Sequence, residues 1–268
     1  MGTVGDVSRR RDAGNVNPVS PLDVPEDLTG WLAARDALTV APRLLGGTIT
    51  TTTDAGTVTV RITETEAYLG ERESAAPDPG AHSFRGRTAR NAVLFGPAGH
   101  LYVYFTYGMH HCANVVCGTE GVATGVLLRA GEVIDGVETA RRRRDAATRP
   151  STARTGVAGD RQQPDRDLAR GPARLARALG LHLRDNGVPI APGVEDPRQV
   201  ADGTTDPVRT VRLHRPTEDV GDDAISTGPR VGVSGPGGSH DYPWRFWLTG
   251  DPTVSPYRPA VRRRRVVR

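Results

Sequence analysis

The chain has 268 residues, 37% of them hydrophobic, with a formal charge of +4 and an isoelectric point near 9.5. That length allows one large domain or two small ones, and a modest positive balance fits a polyanionic partner. No run approaches the ~18 apolar residues of a membrane span, the N-terminus lacks the apolar centre of a secretory leader, and two cysteines are too few for a disulfide framework, so a cytoplasmic location is the expectation.

All 35 basic residues are arginine, because the sequence contains no lysine. No side-chain amine is therefore available for a Schiff base, and no Walker-type phosphate loop can be built.

Residues 1–24 read as a disordered lead-in. From Pro25 to Leu45 the residues Leu28, Trp31, Leu32, Leu38, Leu44 and Leu45 recur at roughly helical spacing, with Pro42 expected to break the stretch into two helices. Gly46 and Gly47 end it. A hairpin follows: Thr48 to Thr53, a turn at Asp54-Ala55-Gly56, then a long strand from Thr57 to Leu69. Its even positions read Val58, Val60, Ile62, Glu64, Glu66, Tyr68, so a core-type face runs directly into two carboxylates and a tyrosine. Such a local conflict marks functional sites.

A polar, proline- and glycine-rich loop covers Glu71 to Ala81, and Asn91 is expected to cap a short helix reaching Phe95. Leu101 to Tyr107, His111 to Val116 and Ala123 to Ala130 read as strands, and Glu138 to Arg144 as a short helix. Residues 145–168 are expected to be a flexible loop. Gly171 to Gly180 is helical, with Pro172 just inside its start. Val208 to His214, Arg230 to Val233 and Trp244 to Leu248 are late strands, and residues 257–268 form a basic tail. No repeat or internal boundary is visible. The expectation is a single α+β domain over residues 25–256 with a mostly antiparallel, curved sheet and surrounding helices.

Three groups of residues carry chemistry. In "ETEAYLG", Glu64 to Gly70, Glu66 and Tyr68 share a face: a general base beside a stacking platform, or a strand end emerging into solvent with both glutamates hydrated. The stretch Leu101 to Val116 holds three of the six tyrosines and Asn114: a surface for nucleobases, or ordinary strand aromatics in a core. Tyr104 and Tyr107 have opposite parity, so both reach one ligand only if Tyr107 lies at the turn before Gly108. Arg129, in "VLLRAGE", is flanked by apolar residues and calls for an acidic or phosphate partner. The arginine runs at 9–11, 141–144 and 262–265 either touch phosphates or are solvated surface. His110, His111, Cys112 and Cys117 do not make a metal site, because strand neighbours point apart and no second Cys-x-x-Cys or paired histidine follows.

Taken together, "RITETEAYLG", "AHSFRGRTARN", "GHLYVYFTYGMHHCANVV", "GVLLRAGE", "GPRVGVSG" and "WRFWLTGDPTVS" resemble, in order, the motifs of the alkyladenine (3-methyladenine, methylpurine) DNA glycosylase family. The similarity covers about Leu38 to Ser255. It implies a monomeric base-excision-repair enzyme that flips a damaged purine out of double-stranded DNA and hydrolyses its N-glycosidic bond, with no metal or organic cofactor. Carried over by position, Glu66 is the general base, and Tyr68, His82 and Tyr104 are the walls around the flipped base. Tyr107 is the wedge that fills the gap left in the duplex, Asn114 excludes guanine, and Arg129 helps Glu66 hold water. The loop between Tyr68 and His82 is longer here than the family's usual spacing by several residues. The alternative is a lesion-binding protein of the same fold without cleavage, which would have no need of Glu66. A free-nucleoside hydrolase, a third reading, would need no wedge.

Overall fold

The computed structural model describes residues 27–106, 108–148, 163–190 and 209–260. Tyr107 lies outside the described residues, as do residues 1–26, 149–162, 191–208 and 261–268, which include the arginine runs at 9–11 and 262–265.

The chain enters through two short helices, α1 (Leu28–Ala33) and α2 (Ala37–Arg43). Asp27 and Asp36 cap them, each accepting a backbone N–H three residues on. The second cap decides where the break falls. It comes before Asp36, and Pro42, expected to separate two helices, sits instead inside the last turn of α2.

The hairpin of β1 (Thr48–Thr53) and β2 (Gly56–Tyr68) follows. A second meander consists of β3 (Leu101–Thr106), β4 (His110–Val116) and β5 (Gly125–Asp135). Two-residue β6 (Ala169–Arg170), then β7 (Thr210–His214), β8 (Ile225–Gly228) and β9 (Arg245–Leu248) complete the sheet. Its main path runs β3-β4-β5-β2-β1-β7, and every pairing between these strands is antiparallel. β2 is its axis. The N-terminal half pairs with β1, and residues Glu64 to Glu66 lie between β5 and β9. That is why a polar stretch is buried there.

α3 (Val137–Thr148) and α4 (Pro172–Leu179) pack against the sheet and each other. α4 buries Leu175, Ala176, Ala178 and Leu179 on one side and stops at Gly180, whose φ of 68° only glycine adopts readily. Of the stretch 145–168 expected as a loop, residues 145–148 continue α3 beyond the Arg144 end point, and Asp165–Asp167 form a 3₁₀ turn. Arg230 to Val233, expected as a strand, is a turn around Gly232 (φ 72°), and the strand there is β8 instead. This displacement matters for the site. Ala92–Phe95 is a single 3₁₀ turn, and the Asn91 side chain does not cap it. Among the described residues no helix is long and apolar enough to cross a membrane.

Candidate active site

Glu66 is fully buried, at 0% exposure. Its Oε1 accepts from Arg129 Nη1 at 3.2 Å and from the backbone N–H of Val231 at 2.7 Å, and its Oε2 accepts from the Tyr68 hydroxyl at 2.9 Å. Every partner is a donor, the surroundings a buried carboxylate requires. The hydrated strand-end reading is therefore overturned by burial between β5 and β9.

Two bulges aim Arg129 at this carboxylate. Ile62 pairs with Gly131, Glu64 with Ala130 and Thr65 with Leu128, so Thr63 is extra on β2 and Arg129 is extra on β5. An unpaired bulge residue breaks the alternation and can redirect its side chain. Arg129 donates through Nε to Glu64 at 2.9 Å, through Nη1 to Glu66 and through Nη2 to the Ser255 hydroxyl at 3.3 Å. Burial pulls its pKa down, but the charges of Glu66 and Glu64 outweigh that and raise it.

Glu64, to which sequence reasoning assigned no role, is equally buried. It accepts from Arg129, from Arg245 Nε at 2.7 Å, and from the Ser255 backbone and hydroxyl at 2.8 and 3.0 Å. Two carboxylates and two guanidiniums thus form one balanced internal cluster.

Beside Glu66 opens a cavity of about 470 Å³, within the usual range for a small-molecule site. Tyr68, His82, Tyr104 and Asn114 all line it, together with Glu66 and Arg129. His82 packs edge-on against Tyr104 with centroids 4.5 Å apart. Tyr102, which the sequence reading passed over, stacks on Tyr104 at 5.5 Å and belongs to the same wall. Its parity with Tyr104 was the available signal. Asn114 sits opposite Tyr102 on β4, where its Nδ2 donates to the Tyr102 carbonyl at 3.2 Å.

Burial holds the tyrosine hydroxyls neutral well into alkaline solution. Tyr102 is pushed up to about 12, and Tyr68 and Tyr104 are also raised, Tyr68 further by the neighbouring Glu66 charge. His82 is shifted the other way, below the ordinary imidazole value, by loss of solvent around the ring and then by the Arg90 charge.

The long loop before His82 is fastened at its base. Asp78 accepts from the backbone of Leu69 and Gly80, and Arg230 grips it with two bonds of 2.7 Å, both side chains fully buried. A Cβ on Gly80 would lie 2.3 Å from the Arg230 guanidinium, so only glycine fits there. Arg230 in turn stacks 4.5 Å from the Tyr68 ring centre. The segment between Gly70 and Asp78 is closed by a backbone bond of 3.0 Å, and His82 lines the cavity. Asn91 then ties the His82 carbonyl at 3.2 Å.

Cys112 and Cys117 are buried thiols, and among the described residues no group of three His, Cys, Asp or Glu side chains is placed to hold a metal. Gly108 (φ 69°) and Met109 lie in the connection between β3 and β4, where the Met109 N–H donates to the Thr106 carbonyl at 3.2 Å.

The family model for methylpurine-DNA glycosylase matches residues 31–252. A protein of Streptomyces avermitilis named "Putative 3-methyladenine DNA glycosylase" is 48% identical over 238 residues, 89% of this chain and 95% of that one. Proteins of the same name from Leifsonia xyli and Mycobacterium tuberculosis are 45% and 43% identical, covering 87% and 85% of this chain and 95% and 93% of theirs. The chain therefore belongs to the methylpurine-DNA glycosylase family, with that family's α+β fold and its hydrolysis of N-glycosidic bonds in the base-excision repair of DNA.

Proposed function

We propose that the protein acts as a monomer on damaged duplex DNA, extrudes an alkylated or otherwise damaged purine into the 470 Å³ cavity, and cleaves it with water activated by Glu66. The observation that carries this reading is a buried carboxylate held by three donors at the wall of an aromatic cavity.

A base inside a duplex is out of reach, and extruding it costs a few kcal/mol, less for a damaged base. Tyr107 fills the gap that is left. The flipped base stacks on Tyr104 and Tyr68, worth about 1–3 kcal/mol, and electron-rich rings favour the positive charge of an alkylated purine. The Asn114 amide, fixed by its bond to the Tyr102 carbonyl, excludes the amino group of guanine.

As the C1′–N bond breaks, the sugar gains oxocarbenium character. Glu66 stabilises that charge and takes one proton from water, whose oxygen forms the new bond to C1′. A cationic purine leaves neutral with the bonding electron pair. Oε2 of Glu66 accepts one bond among the described residues, which leaves an acceptor site for that proton. Arg129 positions the carboxylate and the water. The product is an intact abasic site, and the place of action is the chromosome.

Single-turnover cleavage of a lesion duplex by Glu66→Gln tests this. Lesion binding should survive, and cleavage should fall by ~10²-fold or more. Near-normal cleavage would sink the assignment.

A further inference from the structure

A second cavity, of about 440 Å³, adjoins the first and shares Arg129 and Val231 with it. Its other walls carry Arg170, Arg174 and Arg258, with Asp167 as the carboxylate among its lining residues. Arg129 is already matched by Glu64 and Glu66. Among the described lining residues three arginines therefore face one carboxylate, an excess of two positive charges.

The pairing within this group is loose. Asp167 lies 3.4 Å from Arg170 and 3.9 Å from Arg174. Arg170 is pinned by its Nε to the Val254 carbonyl at 2.8 Å, which leaves its Nη2 free of any bond among the described residues. The Arg258 guanidinium has no hydrogen-bond or ion-pair partner among the described residues, and the residue is exposed. Arg258 also lies beyond the residues that the family model matches.

The start of α4 separates the two cavities. Pro172 and Ala173 line the first, and Arg170 and Arg174 line the second. Among the described residues no side chain caps this helix, and a Cβ on its Gly171 cap would meet nothing within 4 Å. The free first-turn N–H groups add positive potential to that of the arginines. Uncommitted guanidiniums suit a phosphodiester oxygen pair.

We propose that this cleft is a phosphate clamp: Arg170, Arg174 and Arg258 hold a backbone phosphate next to the flipped nucleotide, while its base occupies the first cavity. The proposal rests on the glycosylase reading, since it requires a nucleotide whose sugar sits at Glu66 and Val231. It assigns a different task, namely holding the extruded nucleotide by its charge.

The experiment uses full-length protein and a lesion duplex in which the phosphates 5′ and 3′ to the lesion are replaced, one at a time, by neutral methylphosphonate. Arg174 and Arg258 are exposed, so R174Q/R258Q leaves the core intact. One replacement should weaken wild-type binding about tenfold, and R174Q/R258Q should lose about as much on unmodified DNA. The same replacement should then cost the double variant less than about twofold, and its salt dependence should flatten by about one to two ions. Equal methylphosphonate penalties in both proteins, or none in wild type, overturn the clamp. Displacement of wild type by inorganic phosphate without any methylphosphonate penalty would show a free-anion site, and would overturn it too. Cleavage of the unmodified duplex by wild type is the separate control: its absence refutes the glycosylase reading, not the clamp.

Discussion

The Nε of Arg129 donates to Glu64 at 2.9 Å, and this bond settles which way the remaining guanidinium nitrogens point. Glu64 thereby orients Arg129 toward Glu66 without belonging to the reacting groups. It also accepts from Arg245 and Ser255, so the whole β2–β5–β9 junction closes on one carboxylate.

Glu64→Gln should lower single-turnover cleavage by about 10-fold to 10²-fold while leaving lesion affinity within a few fold, because a slight misplacement of aligned groups is costly. Glu64→Ala should also destabilise the fold by about 3–5 kcal/mol, since it strands buried guanidinium charge. A drop in melting temperature with an unchanged cleavage rate in Glu64→Gln would make Glu64 a purely structural residue.

His82 sets a pH dependence. Its pKa in the folded protein is below the ordinary imidazole value, so the ring is neutral at pH 7 and gains a proton only as pH falls through that lowered value. A proton on the wall of the cavity repels a cationic purine. Binding of a positively charged lesion should therefore weaken on the acid side, and binding of an uncharged lesion should weaken less. His82→Gln should remove the difference. The same sign holds for stability, because the unfolded chain binds the proton more readily and the folded state loses ground as pH falls. Identical pH profiles for charged and uncharged lesions would refute this role.

Asn114 is held by the Tyr102 carbonyl, so its amide cannot turn away from a bound base without breaking a buried bond. Asn114→Ala should admit guanine and allow slow excision of undamaged bases. The measurement is release of normal purines from undamaged duplex under single-turnover conditions. Discrimination as strict as that of wild type would place guanine exclusion elsewhere in the wall.

The absence of lysine leads to a prediction about the product. Glycosylases that also nick the backbone use an amine as nucleophile, and arginine is too strongly protonated for that task. Borohydride added during turnover should trap no covalent protein–DNA adduct, and strand breaks should appear only after alkali or an added endonuclease. A trapped adduct would overturn the water mechanism.

Much of the site was legible because strand periodicity is local. The even face of β2 led from Val58 to Glu66 and Tyr68, and Arg129 stood out as a charge among apolar neighbours that demanded a partner. Composition alone excluded a Schiff base on a lysine side chain. The tertiary structure decided what those residues touch. Nothing near Glu64 in sequence points to Arg245 or Ser255, which lie 181 and 191 positions away. The Arg230–Asp78 pair spans 152 positions, and it fastens the long loop that returns His82 to the cavity. The Val231 amide reaches Glu66 only because Arg230 to Val233 is a turn and not the strand its residues suggested, since a strand would have spent that N–H on a neighbour. Side-chain alternation depends on the nearest bonds of the chain, whereas bulges, turns and buried ion pairs depend on which distant segments pack together. That packing turned two adjacent glutamates into one that orients and one that faces the cavity.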